Sequence, residues 1–348
     1  MNRIIKFFIP IIILLIFLTN TQAVCAKNST MEKFSTNAES AILMEKNSRR
    51  ILFEKNSNKP LPMASCTKIL TAITAIENSD INDMVIIPQE ATNIEGSSLY
   101  LKTGEKLTIL ELLYGLILRS GNDCAVAIAI HVGGSVENFL NLMNATAIKI
   151  GARNSNFETP HGLDSEQHYT TAYDLGLISC YALNNDTFSD IVKSKSAKIG
   201  SNERDNLRII YNKNKLLNNF ENANGIKTGY TKKAGRCFVG SATKDNMQLI
   251  SVVLNCGPMF EDTKKMLQFG FDNYRLETIV PYNKIFKSKN KGIYYISKNR
   301  FQIPLNKDGS ENALIDLKIE ENDMENPQIK ISFANKLLFS EKLSIIKR

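Results

Sequence analysis

No pair of cysteines in this 348-residue chain is spaced Cys-x-x-Cys, although six are present, at 25, 66, 124, 180, 237 and 256. Zinc-ribbon and dithiol redox motifs are therefore absent. Histidine is scarce, three in all, and none stands in a His-Glu-x-x-His pattern or beside a carboxylate cluster. That removes the metallohydrolase pattern and leaves His161 and His168 as structural loop residues. Nothing implies a metal or cofactor. There is no long basic run and no basic-aromatic motif, so nucleic acid is not an expected partner even though 43 Lys and Arg against 35 Asp and Glu give a formal charge of +8. The scattered positive charge suits the anionic polymers of a cell envelope, or plain solubility, equally well.

An apolar run long enough to span a bilayer is also missing. Phe7 to Leu18 is almost wholly apolar but is only about a dozen residues, short for a spanning helix. Arg3 and Lys6 precede it, and polar Thr19 to Gln22 with small Ala23 and Ala26 follow. This reads as a secretory signal peptide over residues 1–26, cleaved after Ala23 or Ala26, with an uncleaved anchor as the lesser reading. Cleavage after Ala26 removes two cations and no acid, taking the formal charge from +8 to +6. Cys25 suggests a lipoprotein, but Gln22 and Val24 fit lipidation poorly. Five cysteines then remain, so at least one is unpaired. They read as small buried packing residues, because a core of this size needs no disulfide staples.

What the chain does contain is a core of ordinary size, with 43% hydrophobic and 22% charged residues, and length for two domains. Its organising stretch is Pro62-Met63-Ala64-Ser65-Cys66-Thr67-Lys68-Ile69-Leu70. Pro60 and Pro62 favour extended backbone, so the apolar-periodic run predicts a helix from about Ala64 or Ser65 to about Glu77. Ser65 and Lys68 then share one face, one turn apart. A hydroxyl at a helix N-terminus beside an amine is a workable nucleophile and base. Alone the pattern is weak, since Ser-x-x-Lys recurs at Ser241, Ser288 and Ser344.

Upstream, Ala41 to Met44 and Ile51 to Glu54 flank a polar turn and predict a β-hairpin. Downstream, a short strand at 84–87 leads to a helix over Leu107 to Leu118, then the polar Ser120-Gly121-Asn122-Asp123, then a helix over Cys124 to Val132. A polar pair between two mostly buried helices needs partners, and substrate is one candidate. Helices are further predicted over Val136 to Ile150, from Thr170-Thr171 to about Leu183, and over Thr263 to Tyr274. Residues 194–222 read as a polar hairpin or irregular excursion. Gly225-Ile226-Lys227-Thr228-Gly229-Tyr230 lies on or beside a strand, followed by strands at Cys237 to Ala242 and Leu249 to Cys256 around an Asp245-Asn246 turn. The other Lys-Thr-Gly, at 102–104, precedes a helix and reads as a turn. From about Leu276 short alternating strands predict a separate small β domain, and residues 336–348 look more like a strand than an amphipathic membrane helix.

Ser-x-x-Lys at a helix start, Ser-x-Asn between helices and Lys-Thr-Gly on a strand follow in the order of the penicillin-recognising serine acyltransferases. With Lys-Thr-Gly-x-Thr-x-x-Ala-Gly-x-Cys, Pro160-His161-Gly162-Leu163 and Tyr173-Asp174-Leu175, residues 38–275 resemble the secreted serine-type D-Ala-D-Ala carboxypeptidases, which are low-molecular-mass penicillin-binding proteins. The resemblance implies an α+β fold, an antiparallel sheet flanked by helices of β-lactamase/transpeptidase type, with a second small all-β C-terminal domain. The domain boundaries expected are 1–26, 27–275 and 276–348. It implies Ser65 as nucleophile, Lys68 as its base and Ser120 as proton relay. Asn122, Lys227, Thr228, Gly229 and Tyr230 are implied as substrate-binding residues, with the backbone N–H groups of Ser65 and Tyr230 as oxyanion hole. Partners would be peptidoglycan stem peptides, with β-lactams as covalent inhibitors and peripheral contact with the envelope, outside the cytoplasm. Arg236 is a lesser candidate for anionic substrate, against plain surface solvation. The loop 257–262, where some relatives place an arginine, has none. A class A-type β-lactamase is an alternative, since Glu137 to Asn141 superficially matches Glu-x-x-Leu-Asn, but Leu140 reads as core and Glu137 as surface. A transpeptidase and a non-catalytic envelope-binding relative are the others.

Overall fold

The computed structural model describes residues 34–290, 292–321 and 326–347. The chain falls into a unit of residues 1–35, of which only Phe34 and Ser35 are described, and a unit Thr36–Arg348. The expected signal peptide and Cys25 lie outside the described residues.

The central sheet is built by β1 (Ser40–Glu45), β2 (Ile51–Lys55) and three later strands; the short β3 (Met84–Ile86), β4 (Lys106–Thr108), β5 (Ser196–Ile199) and β6 (Arg208–Tyr211) lie outside it. Those later strands are β7 (Ala223–Thr231), β8 (Gly235–Lys244) and β9 (Met247–Leu254), and the all-antiparallel order is β2-β1-β9-β8-β7. Alternation sorts the side chains of β1. A Cβ at Gly176 would meet Ile42 and Met44, whereas one at Gly270 would meet Leu43. The helix Ala172–Ala182 therefore covers one face and Met259–Asn273 the other, which is why every residue of β1 is buried. The turn at Asp245 and Asn246 has φ of 50° and 62°, the left-handed pair that a tight hairpin demands.

Several helix starts carry side-chain caps, the expected Thr170-Thr171 start among them. Thr171 caps Ala172–Ala182 by accepting from Asp174 N, and Ser135 caps Val136–Ile150 through Asn138 N. Thr108 and Glu111 form a reciprocal capping box on Ile109–Tyr114. That helix widens into a π turn, Gly115–Arg119, before Ser120. Several elements differ from expectation, among them the helix expected from Leu107, which begins at Ile109. The helix over Thr263 begins at Met259, since Pro258 can precede a helix and Glu261 and Asp262 suit its first turn. Asn122 is already helical, so the loop before it is shorter than the polar composition suggested. Asp186–Lys193 is an added helix capped by Asn185, and the excursion after it carries the β5–β6 hairpin.

The C-terminal strands are β10 (Tyr274–Val280), β11 (Ile285–Lys287), β12 (Ile293–Ile296), β13 (Phe301–Asn306), β14 (Ile315–Glu320), β15 (Gln328–Phe333), β16 (Lys336–Lys342) and β17 (Ser344–Lys347). They form β10-β13, β11-β12-β17 and β14-β15-β16 sheets around a core of their own that includes Val280, Tyr295, Ile303, Ile329 and Ile331. The expected α+β architecture with a small all-β C-terminal part is what the chain adopts. The last residues are strand, as read.

Arg50, just before β2, ties this second part to the first. Its buried guanidinium donates to Pro304 O, pairs with Glu311 at 2.6 Å and lies 3.8 Å over the Phe333 ring. Removing one partner of a buried pair leaves the other charge uncompensated. Arg50→Leu is expected to lower stability by about 3 kcal/mol in urea unfolding, and Glu311→Gln by less, because the amide still accepts.

Candidate active site

The turn Ala64–Thr67 is a 3₁₀ turn that runs directly into the helix Lys68–Asn78, so Ser65 sits one turn before the helix proper. Ala64 has φ of 49°, the left-handed region that a non-glycine residue occupies only under strain, and such strain collects at functional sites. The surroundings hold it. Ala64 O accepts from Thr67 Oγ1 at 2.8 Å, and Thr67 Oγ1 is 2.8 Å from His168 Nε2. Gly162, at φ of 86°, packs so closely that an added Cβ would fall on Ala64 O. The loop 160–168 is thus the brace of the Ser65 turn.

Lys68 is completely buried. Its Nζ lies 3.0 Å from Ser65 Oγ, 2.7 Å from Asn122 Oδ1 and 2.5 Å from His161 O. Burial first, and then the Lys227 ammonium, hold the amine well below the usual lysine range. A neutral amine has two hydrogens and one lone pair. Carbonyl oxygens can only accept, so Asn122 and His161 take both hydrogens and leave the lone pair for the Ser65 hydroxyl. Asn122 is itself fixed from the other side, donating from Nδ2 to Glu95 O at 2.5 Å, while its backbone N donates to Ser97 O at 2.7 Å.

Ser120 is buried in the left-handed conformation, φ 65°, between the π turn and the Asn122 helix. One edge strand of the sheet, β7, faces the nucleophile turn. A Cβ at Gly229 would lie 2.8 Å from Met63 O and 3.1 Å from the N atoms of Ser65 and Cys66, so only glycine lets this strand approach. Lys227, 2% exposed, donates to Thr228 O at 2.9 Å; burial pulls its pKa down to about 8. Thr228 is half-buried, and Tyr230 is 64% exposed at the rim. The geometry gathers Ser65, Lys68, Asn122 and the Lys227–Tyr230 strand around one spot.

Other sequence candidates fall elsewhere. Ser241 and Lys244 lie three apart on β8, which turns them to opposite sides of the sheet. Lys102-Thr103-Gly104 is an exposed turn. Glu137 is exposed at the start of its helix, with Leu140 packed on the core. Arg236, opposite Tyr230 in the register, is exposed and donates to Gly257 O at 3.1 Å. Cys66, Cys124, Cys180, Cys237 and Cys256 are buried free thiols, raised by burial, to about 11 at Cys237. Among the described residues no group of His, Cys, Asp and Glu converges as a metal site would.

Two site features were missed in the sequence. The first is the His161 carbonyl on Lys68; a backbone contact leaves no side-chain signature. The second is Lys213, whose Nζ donates to Ser97 Oγ at 2.9 Å and whose charge helps depress both Lys68 and Lys227. Its flanking Asn212 and Asn214 in a polar excursion gave no periodicity to mark it.

A profile of the D-alanyl-D-alanine carboxypeptidase family matches residues 26–257. The chain is 34% identical to D-alanyl-D-alanine carboxypeptidase DacF of Bacillus subtilis over 74% of this chain and 69% of that one. It is 36% identical to D-alanyl-D-alanine carboxypeptidase DacC of Escherichia coli over 74% and 66%. Penicillin binding protein 5 from Haemophilus influenzae has a similar structure, with a TM-score of 0.75 and 26% identity over 90% of this chain and 98% of that one.

The brace makes the site acid-sensitive. Burial holds His168 at about 4, below its ordinary 6.5. Above 6.5 the ring is neutral folded or unfolded, and this contribution is intact. As pH falls below 6.5 the unfolded chain takes up a proton that the folded one refuses, so stability is lost down to about pH 4. The loss is about 3 kcal/mol for this one group. Urea unfolding at pH 7 and pH 4.5 should show a smaller acid loss in His168→Gln than in the wild type.

Proposed function

The chain belongs to the D-alanyl-D-alanine carboxypeptidase family, and from that premise we propose that Ser65 is the nucleophile by which it removes the terminal D-alanine from peptidoglycan stem peptides. The activity is that of a serine-type hydrolase that binds penicillin, and its polymer substrate puts it outside the cytoplasm. The observation that carries the residue roles is the Lys68 amine with both hydrogens held by Asn122 and His161.

In this reading the Ser65 hydroxyl donates to the Lys68 lone pair. As Oγ attacks the carbonyl of the penultimate D-alanine, Lys68 takes the proton. The carbonyl oxygen becomes an oxyanion, met by the backbone N–H groups of Ser65 and Tyr230, whose approach Gly229 permits. The C–N bond breaks, and the proton passes through Ser120 to the departing amine. Water then adds to the ester, Lys68 again accepting its proton, and the shortened stem leaves. Lys227, Thr228 and Lys213 supply positive charge and donors for the terminal carboxylate, and Asn122 meets the peptide amide. Because no arginine occupies 257–262, the carboxylate depends more on these groups and on Arg236. We assign residues 27–275 to the catalytic domain and 276–348 to a small β domain, which the separate core of the latter supports. Export follows from reading residues 1–26 as a signal peptide.

Release of D-alanine from a peptide ending in D-Ala-D-Ala is expected to vanish in Ser65→Ala and to fall by about 10² to 10⁴-fold in Lys68→Ala. Acid protonates Lys68, so kcat/KM falls on the acid side. Lys227 is charged below about 8 and neutral above it, so kcat/KM also falls as pH rises through 8. Lys227→Arg should remove that alkaline limb; an unchanged limb would show that Lys227 does not hold the carboxylate.

A further inference from the structure

A cavity of about 390 Å³ lies in the seam between the first part of the chain and the C-terminal strands, and none of its lining residues belongs to the Ser65 site. Its volume falls in the range of small-ligand sites. Four stretches of chain meet there: the β1–β2 turn, the segment after helix Val136–Ile150, the helix Ala172–Ala182 and the start of β16. Three of them bring a cation, Arg49, Arg153 and Lys336, and no acid lines the cavity. Among the described residues none of the three is in an ion pair.

The acids nearest in sequence are turned to the backbone instead. Glu45 accepts from Ser48 N at 2.7 Å and Ser48 Oγ at 2.6 Å, and Asp174 accepts from Asn154 N at 2.6 Å and Ser155 Oγ at 2.8 Å. On the far side of each arginine the chain is also held, Arg50 N donating to Ser48 Oγ at 3.2 Å and Ala152 N to Ala147 O at 2.9 Å. The two arginines therefore stand on pinned backbone with their guanidinium groups unneutralised. Arg49 keeps a φ of 54°, where a turn would ordinarily place glycine or asparagine.

The Arg50 clamp sets the spacing of the third cation. Arg50 stacks on Phe333, and Phe333 is opposite Lys336 in the β15–β16 register, so the contact that closes the seam also brings Lys336 towards Arg49. Lys336 Nζ lies 5.5 Å from the centre of the Tyr173 ring. Three cations gathered on one cavity repel each other, and an anion between them relieves that cost. Guanidinium forks match phosphate oxygens in pairs. Tyr173 and buried Leu177 supply an apolar wall between the charges.

We propose that this seam binds a phosphodiester polymer of the cell envelope, a chain of polyol phosphates. Arg49, Arg153 and Lys336 meet its phosphates, and Tyr173 and Leu177 meet the carbon links between them. A flexible polyanion can enter a cavity between two lobes, whereas a bilayer presents its phosphates on a flat face. A protein held on such a polymer meets wall-bound substrates at a raised effective concentration.

The probe is a short synthetic oligomer of glycerol phosphate, titrated calorimetrically at fixed ionic strength. Arg49→Gln/Arg153→Gln removes two exposed charges outside the catalytic machinery. It should weaken binding by at least about tenfold and flatten the salt dependence. Its urea midpoint and its D-alanine release from a soluble stem peptide should match the wild type. Lys264→Gln/Lys265→Gln removes the same charge from the exposed side of helix Met259–Asn273 and should leave binding unchanged. Equal weakening in both double variants would show a response to net charge alone and overturn the proposal. So would undiminished binding in Arg49→Gln/Arg153→Gln, equal binding of uncharged polyglycerol, or inorganic phosphate binding as tightly as the oligomer. Phosphatidylglycerol vesicles that hold the protein through Arg49 and Arg153, with no binding of the oligomer, would assign the seam to a membrane surface and overturn it too.

Discussion

The structure depends on keeping one amine uncharged and aimed. Lys68 is removed from water inside a protein that is otherwise cationic, and a second buried lysine faces it. Desolvation and like-charge repulsion both disfavour the ammonium form. Two acceptors that cannot donate then fix the direction of the remaining lone pair. Each came from a different part of the chain: Asn122 from the start of one helix, His161 from a loop forty residues on. The close packing of Gly162 on Ala64, the His168–Thr67 contact and the Asn122–Glu95 bond hold that arrangement. The strained φ at Ala64 and Ser120 marks where the backbone is held for this purpose.

The second lysine has the opposite task. Lys227 is buried but remains within reach of protonation at about 8, so it can meet an anion while repelling a proton from Lys68. A single low-dielectric pocket thus pushes two lysines apart in charge, one as base and one as anion holder. The sheet makes this workable. β7 is an edge strand whose glycine at 229 allows the backbone, rather than a side chain, to face the nucleophile turn. Lys213 adds a third cation, bonded to Ser97, whose charge lowers both.

Much of this was legible in the residues. Two prolines before an apolar period marked the Ser65 helix, and Asp245-Asn246 marked the hairpin that puts β8 beside β9. A polar triplet between apolar helices marked the Asn122 loop, and its brevity came from Asn122 itself joining the helix. What could not be read was made by groups without a pattern. The His161 carbonyl acts through its backbone, and Lys213 acts by tertiary placement alone. The helix Asp186–Lys193 lay within mixed composition, and Pro258 masked how early the helix from Met259 begins. The small β strands were legible by alternation. The Arg50 clamp that joins them to the first part was not, because its partners are over 200 residues away.

The most direct test of the central claim is to locate the acyl-enzyme. The purified protein is incubated with a penicillin, digested, and its peptides mapped by mass spectrometry. The account predicts one penicilloyl adduct on the peptide carrying Ser65, absent in Ser65→Ala and formed more slowly as pH falls and Lys68 takes up a proton. An adduct on another residue, or one on Ser65 whose rate of formation ignores both pH and Lys68→Ala, would contradict it.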